Sequence, residues 1–184
     1  FIDIAAGDNF SMALAQGREG DDKTYLYTFG ANDRGQLGKG GGSSEHRAYE
    51  ISDLFQLGDE EQIVGITASG KSAAAWTNYG SLYVWGDNAN GRLGAVGDAI
   101  LSAPTRVPNV NNVDDAVLGI VNYAHTTTGR VVTWGGSYEN FLSGSAGDIT
   151  DWLTNPTYLI KVTGRRLNLA VAATWVDFND NDLM

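Results

Sequence analysis

Cysteine is missing from all 184 residues, which removes disulfides, thiolate nucleophiles and cysteine-ligated zinc or iron–sulfur centres from consideration. Histidine is nearly missing: His46 and His125 stand far apart with no partner ligand nearby, so no metal site is expected. Lysine and arginine number 12 against 22 acidic residues, a net charge of −10, and the only adjacent basic pair is Arg165–Arg166. A surface of that sign repels a phosphate backbone, so direct nucleic-acid binding is not expected. No apolar run approaches the roughly 18 residues of a membrane span, so no membrane insertion is expected, and the compartment stays open. Proline occurs only three times, while 42% hydrophobic and 18% charged residues mark a globular chain.

Glycine, by contrast, is abundant at 24 residues, about twice the usual share, which points to many tight turns between short strands. The glycines fall in a repeated phrase. Leu26 to Gly38 reads LYTFGANDRGQLG, Leu82 to Gly94 reads LYVWGDNANGRLG, and Val131 to Ser143 is an eroded version, VVTWGGSYENFLS. The matching glycines Gly30, Gly86 and Gly135 are 56 and then 49 residues apart, a period that indicates a solenoid or propeller. The copies divide the chain into units of approximately 1–61, 62–112, 113–165 and an incomplete 166–184. An incomplete last unit and a start at Phe1 read as a section of a longer protein.

Within a unit the pattern has period two. Ile2, Ile4 and Ala6 alternate with Asp3 and Ala5, and Phe10, Met12 and Leu14 with Ser11 and Ala13, around a Gly7-Asp8-Asn9 reversal. Tyr25, Tyr27 and Phe29 form a third strand and Arg47 to Ile51 an outer one. Units two and three repeat the plan with Ile63–Ala68, Ala73–Thr77, Leu82–Trp85 and Pro104–Val107, then Ala116–Ile120, Asn122–Thr126, Val131–Trp134 and Pro156–Ile160. Only Ser52 to Leu57 suggests a helical turn, with Ser52 as its N-cap. The expectation is all-β: about three and a half blades of short antiparallel strands stacked as a partial propeller.

The residues Phe29-Gly30 with Asn32, Gly35, Gln36, Leu37 and Gly38, and Trp85-Gly86 with Asn88, Gly91, Leu93 and Gly94, resemble the regulator of chromosome condensation repeat. Unit three keeps Trp134-Gly135 and Leu142 but has Ser137, Asn140 and Ser143 where the pattern wants Asn, Gly and Gly. The resemblance implies a seven-bladed ring, of which this chain is about half, closed by flanking blades or protein partners. The aromatic before each glycine is expected to fill the space between blades, and the glycines to permit turns that a Cβ would block.

Some members of the family exchange nucleotide on a small GTPase through acidic and histidine residues near the second strand. The histidine position holds Phe10, Ser72 and Val121 here, and only Asp8 matches the acidic feature. The resemblance also implies inhibitors of extracellular enzymes and scaffolds. The leading expectation is a non-enzymatic protein-interaction module, with nucleotide exchange as the alternative and enzyme inhibition as a weaker one. Candidate binding residues lie in the first turn and the long polar loops: Asp8, Asn9, Arg18, Glu19, Asp21, Asp22, Lys39, Glu45 and His46, with His46 read as loop.

No catalytic residue and no cofactor are expected. Gly65 to Ser72, GITASGKS, spells a phosphate loop, but Ala73–Thr77 runs straight into Asn78-Tyr79-Gly80 and leaves no room for the helix whose N-terminus would hold phosphate. Asp177 to Asp182 has alternating oxygen ligands but lacks the glycine and the twelfth-position glutamate of a calcium loop. The sequon Asn9-Phe10-Ser11 falls in a tight turn.

Overall fold

The structure, a computed structural model, describes residues 1–95, 98–119, 122–134 and 147–148. These form three four-stranded antiparallel sheets, each ordered as its strands occur in sequence. Sheet one holds β1 (Asp3–Ala6), β2 (Phe10–Gln16), β3 (Thr24–Gly30) and β4 (Glu45–Glu50). Sheet two holds β5 (Ile63–Ser69), β6 (Ser72–Thr77), β7 (Leu82–Asp87) and β8 (Ile100–Arg106). Sheet three holds β9 (Val113–Val117), β10 (Asn122–Thr126), β11 (Val131–Trp134) and β12 (Gly147–Asp148).

Period-two sequence becomes two-faced strand. On β2, Phe10, Met12 and Leu14 are buried while Ser11, Ala13 and Ala15 are only half-buried. On β6 every residue from Ser72 to Thr77 is buried, because sheet two has a neighbour on each face. β5 packs on β1, β2 and β3, and β9 packs on β5 and β6, so the first strands of successive sheets converge. A two-strand ribbon is marginal in water, whereas stacking lets each sheet bury the face of the next. This is the partial propeller expected from the repeats.

Several elements differ from the sequence reading. β4 starts at Glu45 rather than Arg47, so Glu45 and His46 sit on a strand; Gly30 pairs with Glu45 across a bulge that a linear pattern does not reveal. Ser52 opens a 3-10 turn, Ser52–Phe55, instead of capping it; its Oγ accepts the Leu26 amide at 2.8 Å and ties the connector to β3. β8 begins at Ile100, ahead of the Pro104–Val107 segment, and accommodates Pro104 as an outer strand can. β9 starts at Val113 rather than Ala116, and β11 pairs with Gly147–Asp148. Pro156–Ile160, the eroded motif after Trp134 including Gly135, and Asp177–Asp182 lie outside the described residues. The GITASGKS segment is strand, two-residue turn and strand, with Ser69 paired to Ser72.

Candidate functional site

The repeated phrase builds a seat for the aromatic ring of the following sheet. In unit one, Asn32 is fully buried; its Oδ1 accepts the Leu37 amide at 2.9 Å and its Nδ2 donates to the Gly41 carbonyl at 2.7 Å. Asn88 repeats this with the Leu93 amide at 2.9 Å and the Asp98 carbonyl at 3.0 Å. The asparagine therefore replaces the missing backbone partners of a turn that no ladder can satisfy. Leu37 and Leu93 are driven into the core as plugs. Gly30, Gly35, Gly38, Gly86, Gly91 and Gly94 all have positive φ.

Gly38 shows why the phrase ends as it does. Its φ is +67°, and a Cβ there would stand 2.9 Å from the Trp85 indole; at Gly94 a Cβ would stand 2.5 Å from Trp134. Glycine removes both the φ penalty and the clash, so each turn lies flat on the next sheet's tryptophan. Trp85 is 0% and Trp134 1% exposed. Burying one indole removes about 200 Å² of mostly apolar surface, an upper bound of about 5 kcal/mol. Phe55 covers the Trp85 ring from the side, edge-on at 5.6 Å, and meets Tyr83 at 5.2 Å.

The polar atoms at this junction differ between units. Trp85 Nε1 donates to the Gln36 carbonyl at 2.9 Å. The matching carbonyl, that of Arg92, instead accepts Asn122 Nδ2 at 2.7 Å, and buried Trp134 Nε1 has no hydrogen-bond partner among the described residues. Phe29, the same position in unit one, is 38% exposed, so it does not fill a gap between sheets as Trp85 and Trp134 do.

The candidate binding residues fall at opposite ends of the sheets. At one end the Gly7-Asp8-Asn9 turn leaves Asp8 and Asn9 exposed, while the Asp8 amide donates to the Gly70 carbonyl at 2.9 Å. Beside it Lys71 pairs with Asp33. The Lys71 bond, then the Gln36 amide at 2.9 Å, hold the Asp33 carboxyl down to about 2. Lys39 reaches Ser43 Oγ at 2.9 Å, pairs with Glu45 and lies 5.4 Å from the centre of the Tyr49 ring, so its charge is spent on its own loop and on β4. His46 is exposed on β4.

At the other end Arg18, Glu19 and Asp22 are exposed. Tyr25 donates to Asp21 at 2.8 Å; that bond, then the Lys23 amide, lowers the Asp21 carboxyl, and the same bond raises the Tyr25 hydroxyl. The sequence reading missed a cleft of about 200 Å³ at this end, where Lys23–Tyr25 meet the Ser52–Ile63 connector. Asp53, Asp59 and Glu61 line it, and Thr24 Oγ1 donates to the Ile63 carbonyl at 2.8 Å between the sheets. Asp59-Glu60-Glu61 was the only signal for it in the sequence.

Comparison with known proteins fits this geometry. The model of the Regulator of chromosome condensation (RCC1) repeat matches residues 79–121, the stretch holding β7, its turn, β8 and β9. The chain belongs to the RCC1-repeat family. The E3 ubiquitin-protein ligase HERC2 of Mus musculus is 30% identical over 171 residues, 91% of this chain and 3% of that protein. A bifunctional serine/threonine-protein kinase/NEDD4-like E3 ubiquitin-protein ligase of Dictyostelium discoideum is 33% identical over 148 residues, 73% of this chain and 8% of that protein. The X-linked retinitis pigmentosa GTPase regulator of Homo sapiens is 29% identical over 103 residues, 56% of this chain and 9% of that protein. The RCC1 repeats here thus span under a tenth of the length of these relatives.

Among solved structures, human WBSCR16 aligns with TM-score 0.67 at 20% identity, over 85% of this chain and 40% of that one. Yeast RCC1 (Prp20), bound to Kap60, aligns with TM-score 0.63 at 21% identity, over 79% and 36%. At that identity the likeness is one of fold. RCC1-repeat modules serve interaction and regulation, and the RCC1 phrase in this chain is consumed in sheet-to-sheet packing.

Proposed function

We propose that this chain is a non-enzymatic protein-binding section of an RCC1-type propeller, contacting its partner through the loops that differ between repeats. The observation carrying this reading is the division of labour within each unit. The shared asparagine and leucine of the phrase, Asn32, Leu37, Asn88 and Leu93, are buried, whereas the unit-specific 17–23 loop and the 39–44 loop stand largely in solvent. Function on a repeated scaffold resides where the copies diverge. Photo-crosslinking residues placed at Glu19 and Ser43 test it against the same residue at Asn78, in a turn of sheet two. Crosslinks to one defined protein from the loop positions alone are expected; equal or absent crosslinking at all three would refute the reading.

Nucleotide exchange is the second reading, favoured by the free Asp8 at the turn end and by two of the similar proteins. One of these is described as a GTPase regulator, and the other, Saccharomyces cerevisiae Prp20p, is described with its binding to Gsp1p and histones. Asp33 beside Asp8 is already neutralised by Lys71, which leaves one carboxylate for the task. Stopped-flow nucleotide release from purified small GTPases separates the readings: no acceleration is expected, and acceleration abolished by Asp8→Ala would replace the first reading with the second.

A further inference from the structure

Asn90-Gly91 is the only Asn-Gly pair in the 184 residues. Such a pair sets an electrophile beside a nucleophile: the asparagine Cγ, and the next amide nitrogen, which in glycine no Cβ shields. Every other asparagine precedes a residue that carries a side chain, and Asn155 precedes a proline, which has no N–H. The pair lies in the second copy of the repeated phrase. Its counterpart in the first copy, Arg34-Gly35, has no side-chain amide and cannot react in this way.

Asn90 is exposed and sits in the left-handed region, at φ +59° and ψ +24°, a conformation that asparagine tolerates better than most residues. Its side-chain amide makes no hydrogen bond among the described residues. The nucleophile is less free. The Gly91 N–H donates to the Asn88 carbonyl at 2.9 Å, and the Asn88 side chain pins the turn through the Leu93 amide at 2.9 Å and the Asp98 carbonyl at 3.0 Å. While the turn is closed, the Gly91 N–H is committed to that carbonyl; local opening releases it.

We infer that Asn90 is a self-modification site: when the 88–94 turn opens, the Gly91 nitrogen attacks the Asn90 side chain, and the isoaspartyl product unseats Trp134. The Gly91 nitrogen gives up its proton and bonds to Asn90 Cγ, the Cγ–Nδ2 bond breaks, and ammonia leaves a cyclic imide. Water then opens the ring. Addition at Cγ yields aspartate in the ordinary backbone; addition at the Asn90 carbonyl carbon yields isoaspartate, whose main chain runs through Cβ and Cγ. Water is the sole co-reactant, and no electrons change hands. The inference is independent of what the polar loops bind.

Isoaspartate lengthens the main chain by one carbon inside a turn that is fixed on both sides. Upstream stands buried Asn88 with its paired amide and carbonyl. Downstream, the Arg92 carbonyl accepts Asn122 Nδ2 at 2.7 Å, and Gly94 lies so close to Trp134 that a Cβ would stand 2.5 Å from the indole. The longer chain cannot keep Asn88, Arg92 and Gly94 all in place. The contact between sheets two and three therefore loosens, and water reaches the indole.

The 184-residue chain, its Asn88→Ala variant and a peptide of residues 86–94 are held at neutral pH and physiological temperature, and peptide mapping by mass spectrometry follows each asparagine. Conversion is expected first at Asn90, more slowly in the parent than in the peptide, and about tenfold faster in Asn88→Ala than in the parent, the effect of losing the bonds that close the turn. No conversion at Asn90 in either chain by the time the peptide is fully converted, or earlier conversion at another asparagine, overturns the site. Equal rates in parent and Asn88→Ala overturn control by the turn. The parent in urea below its unfolding transition gives the same reading without a substitution: the rate should climb with urea, and a flat rate overturns that control. For the consequence, the isoaspartyl chain is separated from the aged sample and compared with Asn90→Asp, which carries the same charge on an ordinary backbone. Hydroxyl-radical footprinting should label Trp134 in the isoaspartyl chain and leave it protected in Asn90→Asp; equal protection in the two overturns the unseating.

Discussion

Trp85→Phe and Trp134→Phe remove the same atoms from equivalent, fully covered positions, yet they should not cost the same. Each leaves a similar void and loses similar apolar area, so the packing penalty largely cancels between them. What remains is the N–H. At Trp85 the change breaks the 2.9 Å bond to the Gln36 carbonyl and strands a buried acceptor, worth about 1–3 kcal/mol. At Trp134 it removes a buried donor that has no partner among the described residues, which relieves an existing desolvation cost. Trp85→Phe should therefore be the more destabilising by at least about 1–3 kcal/mol, or about 2–10 °C in melting midpoint for a chain of this size. Circular dichroism melts of the two variants beside the parent decide it. Equal losses, or a larger loss at Trp134, would refute the claim that Gln36 and Arg92 serve different donors.

Gly38→Ala should destabilise by about 2–4 kcal/mol, combining a positive φ with a Cβ pressed on the indole, whereas Gly40→Ala, at φ +72° in open space, should cost only about 1 kcal/mol; urea melts rank the two. Asn88→Ala deprives the Leu93 amide and the Asp98 carbonyl of their partner and should cost about 2–3 kcal/mol by the same assay, with Asn32→Ala alike. The Asp33 carboxyl is held at about 2 in the folded chain against 3.8 ordinarily, so its contribution is present above about pH 4 and is lost as pH falls toward 2. Asp33→Asn, or Lys71→Ala, should therefore flatten that acid limb of a stability-against-pH curve; an unchanged limb would mean that solvent screens the pair completely.

The strands and their stacking were legible because their causes are local. Alternation along Phe10–Leu14, the Gly7-Asp8-Asn9 reversal and the recurring glycines each act within a few residues of chain. The role of the repeated phrase was legible only in part. Its glycines announce tight turns, but the partner of the Gln36 carbonyl lies 49 residues away on another sheet, and no local pattern encodes that pairing. Phe29 and Trp85 look interchangeable in sequence and differ in exposure because only one has a sheet in front of it. Lys39 reads as a free loop cation, yet Ser43, Glu45 and Tyr49 consume it. The acidic cleft escaped notice because it is made by two segments about 30 residues apart, neither of which is concave alone.

The seats for Trp85 and Trp134 come from the units before them: Gly38 precedes Trp85, and Gly94 precedes Trp134. A ribosome making this chain therefore delivers both of these sockets ahead of their plugs, and neither indole has to wait for synthesis downstream. Growth can proceed sheet by sheet with little greasy surface left uncovered, in the direction in which chains emerge. The reverse arrangement, turns following their tryptophans, would leave each newly made indole bare for the time taken to translate about fifty residues, several seconds at cellular rates.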